Sequence, residues 1–259
     1  MRIQNFKMAA ALFALAVLAL SVTVSSEVGA QTPAVDPEAV KVLRSMADYV
    51  SNLKQFSVSA QNVFEDVLDS GQRVDYDFTA SMIISRPNNL RAERHGALEQ
   101  SFFYDGKTLT LYNPSDKVYA TVPAPGTIEG MFDFARESLG LGVPVSDLIY
   151  SNSFALLMHD VTLAVVVGKA VIGGVTCDHL LFSRPGVDFQ VWVADAGSPL
   201  PRKYVVTDTG TPALLSITTF ISDWNVAPDV TDARFTFVPP KGAEQIIFMP
   251  LETTNGSSR

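Results

Sequence analysis

The run Val74-Asp75-Tyr76-Asp77-Phe78-Thr79-Ala80-Ser81-Met82-Ile83-Ile84-Ser85-Arg86-Pro87 decides how this chain folds. Its even positions, Val74, Tyr76, Phe78, Ala80, Met82 and Ile84, are apolar, while Asp75, Asp77, Thr79 and Ser81 fill odd ones. A period of two is that of a strand with one dry and one wet face. The same parity delivers Arg86 to the dry face, and Pro87 holds it extended and forbids a helix there. Asn88-Asn89 turns the chain, Leu90 to His95 returns it, and Tyr104-Asp105-Gly106-Lys107 predicts a tight hairpin into Leu109, Leu111 and Tyr112. From Phe56 to Val122 six strands separated by turn signals predict an antiparallel meander, because no intervening segment is long enough for a parallel crossover.

Upstream, Asp36-Pro37-Glu38 supplies an N-cap, a first-turn proline and an acidic first turn. Val40, Leu43, Met46, Ala47, Val50 and Leu53 then recur at helical spacing, giving an amphipathic helix of about five turns. Downstream the pattern changes at Pro123-Ala124-Pro125-Gly126. Ile128, Met131, Phe132, Ala135 and Leu139 are helix-spaced; a second short helix includes Leu148, Ile149 and Tyr150, and a further turn or two runs from Phe154 to Met158. This insert, about 127–158, reads either as ordinary cover for the core or as a movable lid over the sheet. Strands resume over 161–171, 175–182, 188–194, 202–207 and 214–224, with a short last segment at Phe235-Thr236-Phe237. Eleven long strands result, with no internal repeat; Leu251 to Arg259 is polar and expected to fray.

The chain has 259 residues, 47% of them apolar, enough for one domain with a substantial core. Arg2 and Lys7, the apolar stretch Met8 to Leu20 and the small residues Val28-Gly29-Ala30 predict an export signal over 1–30, cleaved after Ala30, and a single domain over 31–259. A membrane anchor is the alternative, but the apolar stretch is short of the ~20 residues a bilayer span needs. Loss of 1–30 leaves 17 basic and 26 acidic side chains, a charge of −9. Nucleic acid and anionic lipid surfaces therefore repel the chain. Cys177 is the one cysteine, so no internal disulfide forms; in an apolar strand it reads as a buried, inert thiol.

Catalytic patterns are lacking: no Gly-x-Ser-x-Gly elbow, no phosphate-binding glycine loop and no His-Glu-x-x-His helix. His95, His159 and His179 are isolated, and His159-Asp160 and Asp178-His179 could form a metal site only if the fold joined them. Asp75 and Asp77 read as a solvated pair on the wet face. We expect no enzyme, cofactor or metal; a pocket clustering His159 or His179 with carboxylates would revive a hydrolase.

Arg86-Pro87-Asn88-Asn89-Leu90-Arg91, followed by Asp105-Gly106-Lys107-Thr108-Leu109 and Leu111-Tyr112-Asn113-Pro114, resembles the signature of the periplasmic lipoprotein carriers of the LolA/LolB type. Ala233-Arg234-Phe235-Thr236-Phe237-Val238-Pro239-Pro240-Lys241-Gly242 resembles their closing motif. Cys177-Asp178-His179-Leu180, Gln190-Val191-Trp192-Val193 and Pro199-Leu200-Pro201-Arg202-Lys203 look more like a less characterised branch of predicted periplasmic proteins with that fold. The resemblance implies an α+β fold: an unclosed antiparallel half-barrel of about eleven strands, with an N-terminal helix and a helical lid. It also implies a monomeric periplasmic carrier or chaperone for a lipid or acyl chain, including that of a lipoprotein, with an inner-membrane donor complex and an outer-membrane acceptor as partners. Related half-barrels serve as interaction or envelope-stress-sensing modules, which is the alternative.

In the carriers the arginine of this Arg-Pro pair hydrogen-bonds to the lid, a role that carries to Arg86; by itself the sequence favours a surface guanidinium beside a turn. The expected cavity face is Phe78, Met82, Ile84, Leu109, Leu111, Val118 and Ala120, and the lid Ile128, Met131, Phe132, Leu139, Leu148 and Ile149. Alternation shows which face is dry, not whether it is hollow.

Overall fold

The computed structural model describes residues 35–248. The predicted export signal, its cleavage point and the polar tail lie outside those residues. The first helix, α1 (Pro37–Asn52), starts where its capping residues predict: the Asp36 carboxylate accepts the Glu38 amide at 2.9 Å. Ala39, Leu43, Met46, Ala47 and Val50 form its buried stripe. At its other end the Leu53 amide donates to Val50 O, closing the last turn.

Six strands follow: β1 (Gln55–Val67), β2 (Arg73–Ser85), β3 (Asn89–Gly96), β4 (Gln100–Tyr104), β5 (Thr108–Asn113) and β6 (Val118–Pro123). The insert then supplies α2 (Ile128–Leu139), a single 3-10 turn at Ser146–Leu148 and α3 (Ser153–Met158). Thr127 caps α2 and Gly140, in the left-handed region, ends it. Five more strands complete the meander: β7 (Leu163–Ile172), β8 (Val175–Arg184), β9 (Val187–Ala194), β10 (Pro201–Asp208) and β11 (Ser216–Asn225), with a two-residue β12 (Glu244–Gln245) near the end.

The sheet order is β12-β6-β5-β4-β3-β2-β1-β11-β10-β9-β8-β7. Two meanders are thus joined by the antiparallel β1–β11 pair, and β6 and β7 are left far apart. The result is an α+β, unclosed half-barrel. Its eleven long strands pair antiparallel throughout, and β12 adds a parallel contact on the β6 edge, making the sheet mixed. The insert leaves from one side of the gap and re-enters at the other, while α1 lies against the concave face with its stripe in the main core.

Cross-strand register confirms the parity of β2. Ile84 pairs with Phe56 of β1 and Leu90 of β3, and Met82 with Val58 and Ala92, all facing inward; Asp75, Asp77, Thr79 and Ser81 are exposed on the other face. Two local expectations are corrected. Phe235-Thr236-Phe237 is not a strand: Asp232–Arg234 forms a 3-10 turn, and the Phe235 amide returns to Asp232 O. Pro239 and Pro240, which have no N–H for a ladder, follow at once, and Phe237 instead packs its ring on Phe103, Tyr112 and Tyr119 at 5.0–5.5 Å on the convex side. The helix expected at Leu148-Ile149-Tyr150 is only the 3-10 turn and the residues after it, though all three side chains are buried.

Candidate functional site

Arg86 stands at the end of β2, where α1, the sheet and the insert meet. Its amide donates to Lys54 O at 2.8 Å, holding the backbone against the entry to β1. The guanidinium then spreads over three acceptors. Nε donates to Leu53 O at the C-cap of α1 (3.2 Å), Nη1 to the Glu129 carboxylate on α2 (3.3 Å), and Nη2 to Ile149 O. Only 10% of the Arg86 side chain is exposed. Burial lowers its pKa, and the Glu129 charge and hydrogen bond oppose that shift. Glu129 also accepts the Ser151 amide at 3.0 Å. One buried cation therefore ties the N-terminal helix and two parts of the insert to the sheet.

The two turns of the Arg86–Tyr112 run pack on each other beneath this junction. Asp105 accepts the Lys107 and Thr108 amides at 3.0 and 2.8 Å. Burial alone would raise its carboxyl, but those donors outweigh burial and hold it below the usual range. Gly106 has a positive φ, and a Cβ there would stand 2.4 Å from the Asn88 side-chain nitrogen. Any other residue would be strained there and would have to displace the Asn88 side chain. Pro87 O accepts the Ile128 amide at 3.0 Å, and the Tyr104 hydroxyl donates to Pro125 O, so the start of the insert rests directly on these turns.

The insert is anchored at its far end too. Arg184, on the inner face of β8, donates to Leu156 O at 3.3 Å, and Arg44 of α1 lies 3.6 Å over the Phe154 ring. Asp133 accepts from Tyr150 at 2.7 Å and Arg136 at 2.6 Å, bracing α2 against the following turn. Asp147 is desolvated, which raises its carboxyl pKa against the opposing pull of Arg184 and Arg136.

Of the expected lid residues, Ile128, Met131, Phe132, Leu148 and Ile149 are buried in the main core, and Leu139 packs on its margin. Of the expected cavity face, Met82, Ile84, Leu109 and Ala120 are buried. Phe78, Leu111 and Val118 share that face but are only half-buried, further from the insert. A small void of about 20 Å³ lies under the insert, lined by Val50, Phe56, Val58, Val145, Leu148, Ile149, Pro201, Ile221 and Trp224. None of the seven expected cavity residues lines it. It lies on the β1–β11 side, where Trp224 packs on Phe56 and donates to Pro201 O.

Sequence reasoning missed Glu129, Leu53, Ile149 O and Arg184 as partners across the lid. Backbone carbonyls carry no sequence signal, and Glu129 looks like any acidic residue in a first helical turn. The histidines stay apart: His95 lies 2.7 Å from Glu99, His159 is 3.2 Å from Asp160, and His179 reaches Gln190 at 2.8 Å while stacking on Trp192. Among the described residues no three His, Cys, Asp or Glu side chains are placed to share a metal ion. Cys177 is buried, and that burial pushes its thiol up.

A family model described as "Predicted periplasmic protein (DUF2092)" matches residues 39–249. Among curated proteins none matches the sequence. The fold is similar to that of lipoprotein LppX from Mycobacterium tuberculosis, with 16% identity over 76% of this chain and 100% of that one, TM-score 0.47. LprF from Mycobacterium bovis is similar at 14% identity, covering 75% and 96% of the two chains, TM-score 0.48. A LolA superfamily protein from Nitrosomonas europaea is 13% identical, covering 77% and 97%, TM-score 0.41.

Proposed function

The chain belongs to the DUF2092 family of predicted periplasmic proteins, and from that premise we propose that it is an exported protein that binds a lipid or acyl chain within its half-barrel and acts as a carrier or chaperone without covalent chemistry. The observation that carries this is the latch: a buried guanidinium divided between α1, α2 and the residue after the 3-10 turn, closing an apolar insert over an apolar face. A buried charge of this kind is stable only while fully partnered. Opening the lid therefore costs several charge-assisted hydrogen bonds, and burial of a hydrocarbon chain offsets that cost at ~0.8 kcal/mol per methylene. Two opposed terms of similar size make loading reversible. An inner-membrane donor and an outer-membrane acceptor are the partners such a carrier needs.

Native mass spectrometry of the exported protein, purified without detergent and followed by solvent extraction, tests this. Stoichiometric adducts that extract as fatty acid, phospholipid or lipopeptide are expected. The smallness of the void under the insert, about 20 Å³, favours a second reading, in which the half-barrel is a scaffold for protein interaction or envelope-stress sensing. A mass that stays bare after lipid is offered would establish that reading over the first.

A further inference from the structure

Arg86, Arg94 and Arg184 sit on the concave face, as does Lys169, which pairs with Asp178 at 2.8 Å. Arg86 and Arg184 are engaged by the insert. The third arginine, Arg94 of β3, is not. Its cross-strand neighbours Ala80 and Gln100 place it on the inner face, four residues along the ladder from the Ile84–Leu90 pair. Its guanidinium lies 4.2 Å over the Phe78 ring, and its Nε is buried with no hydrogen-bond partner. Arg86 has Glu129 and Arg91 has Glu93; among the described residues no carboxylate comes within 4.0 Å of Arg94. A desolvated donor left unpaired is an unfavourable arrangement unless something fills it.

Around Arg94 the face changes character. Toward the lid lie Met82 and Ile84; toward the far end, Phe78 is half-buried and Tyr76 is 53% exposed. Gln100, directly opposite, adds an amide with two further donors. An apolar trough thus ends at a guanidinium whose buried Nε–H is unpaired, beside a mouth open to water. We propose that Arg94, with Gln100 beside it, receives the anionic head group, carboxylate or phosphate, of a lipid whose hydrocarbon chain runs under the insert. This rests on the lipid-binding reading and adds the ligand's charge and polarity: tail toward Arg86, head at Arg94.

The test is isothermal titration of the protein, expressed from its complete sequence and exported, with hexadecanoate, hexadecyl phosphate and hexadecanol delivered from cyclodextrin. The wild type is expected to bind an anionic amphiphile about tenfold more tightly than the alcohol, the effect of one or two charge-assisted hydrogen bonds. The tighter of the two anions identifies the head group. Arg94→Gln is expected to shrink the ratio to about twofold with the alcohol's affinity unchanged, and Arg94→Lys to restore most of it. A ratio that persists in Arg94→Gln, no preference in the wild type, or displacement of hexadecanoate by equimolar inorganic phosphate would each overturn the head-group site. Failure of all three amphiphiles to bind the wild type would instead defeat the lipid-binding reading beneath it.

Discussion

Two arginines on one sheet face, about 20 Å apart along the strands at ~3.3 Å per residue, have opposite fates. Arg86 is surrounded: the insert supplies a carbonyl and a carboxylate, α1 supplies another carbonyl, and Ile84, Leu90, Tyr104 and Leu109 beside it are fully packed. Arg94 has an aromatic ring beneath it and an orphan Nε, beside residues that are half-covered or open. Strand alternation is the same at both places. What differs is cover: the insert and α1 roof one end of the face and stop short of the other. Dryness on a sheet is thus a property of the face and its roof together, and the same apolar pattern serves as core at one end and as exposed trough at the other.

The sharpest way to break this contrast is to truncate one apolar residue from each end. Ile84→Ala removes a fully buried side chain from the roofed end and is expected to cost ~2–5 kcal/mol in urea unfolding. Phe78→Ala, which loses a half-buried ring, its pairing with Phe64 and its stack under Arg94, is expected to cost only ~1–2 kcal/mol. Equal losses would show that both ends are core. Next, Arg86→Leu leaves the Leu53 and Ile149 carbonyls without a donor, at ~1–3 kcal/mol in stability. On the proposed latch role, the variant is expected to carry more co-purified lipid than wild type by native mass spectrometry; equal loading would remove that role.

The smallest effect is expected at Asp147. Its pKa is raised in the folded protein by desolvation, so the fold holds its proton more firmly than the unfolded chain does. Stability from this group is therefore complete below the unfolded carboxyl pKa and is lost as pH rises through the folded value. Asp147→Asn should flatten that decline, leaving a higher Tm at pH 7 and little change at pH 3. A Tm that falls at pH 7 would show that the ionised carboxylate stabilises the lid through Arg184 and Arg136.

Much of this was legible in the residues. Alternation through β2, turn chemistry at Asn88-Asn89 and Asp105-Gly106, and the Asp36-Pro37 cap are local signals, and they located the strands, the helix and the inward parity of Arg86. The extent of the roof was not legible, because coverage depends on how an insert packs on strands far from it in sequence. Phe78, Leu111 and Val118 have the same parity as Met82 and Ile84 and differ only in what lies above them. The acceptors for Arg86 were equally silent, two of the three being main-chain carbonyls. Phe237 misled because a Phe-Thr-Phe alternation suits a strand, whereas the following prolines and an aromatic surface on β4–β6 gave its ring another place to bind.

The connectivity of the insert also limits its motion. It leaves from β6 and rejoins at β7, the two banks of the gap in the half-barrel, so it is a bridge with both abutments fixed and has no free end to swing. Slack can enter at its approaches, Pro123–Gly126 and His159–Val161, and at the segment 140–145 between α2 and the 3-10 turn, so widening of the gap is limited by how far those segments extend. Curvature of the sheet and clearance beneath the span are therefore one mechanical variable, and the lipid proposed above would have to thread lengthwise beneath the span from the open Tyr76 end.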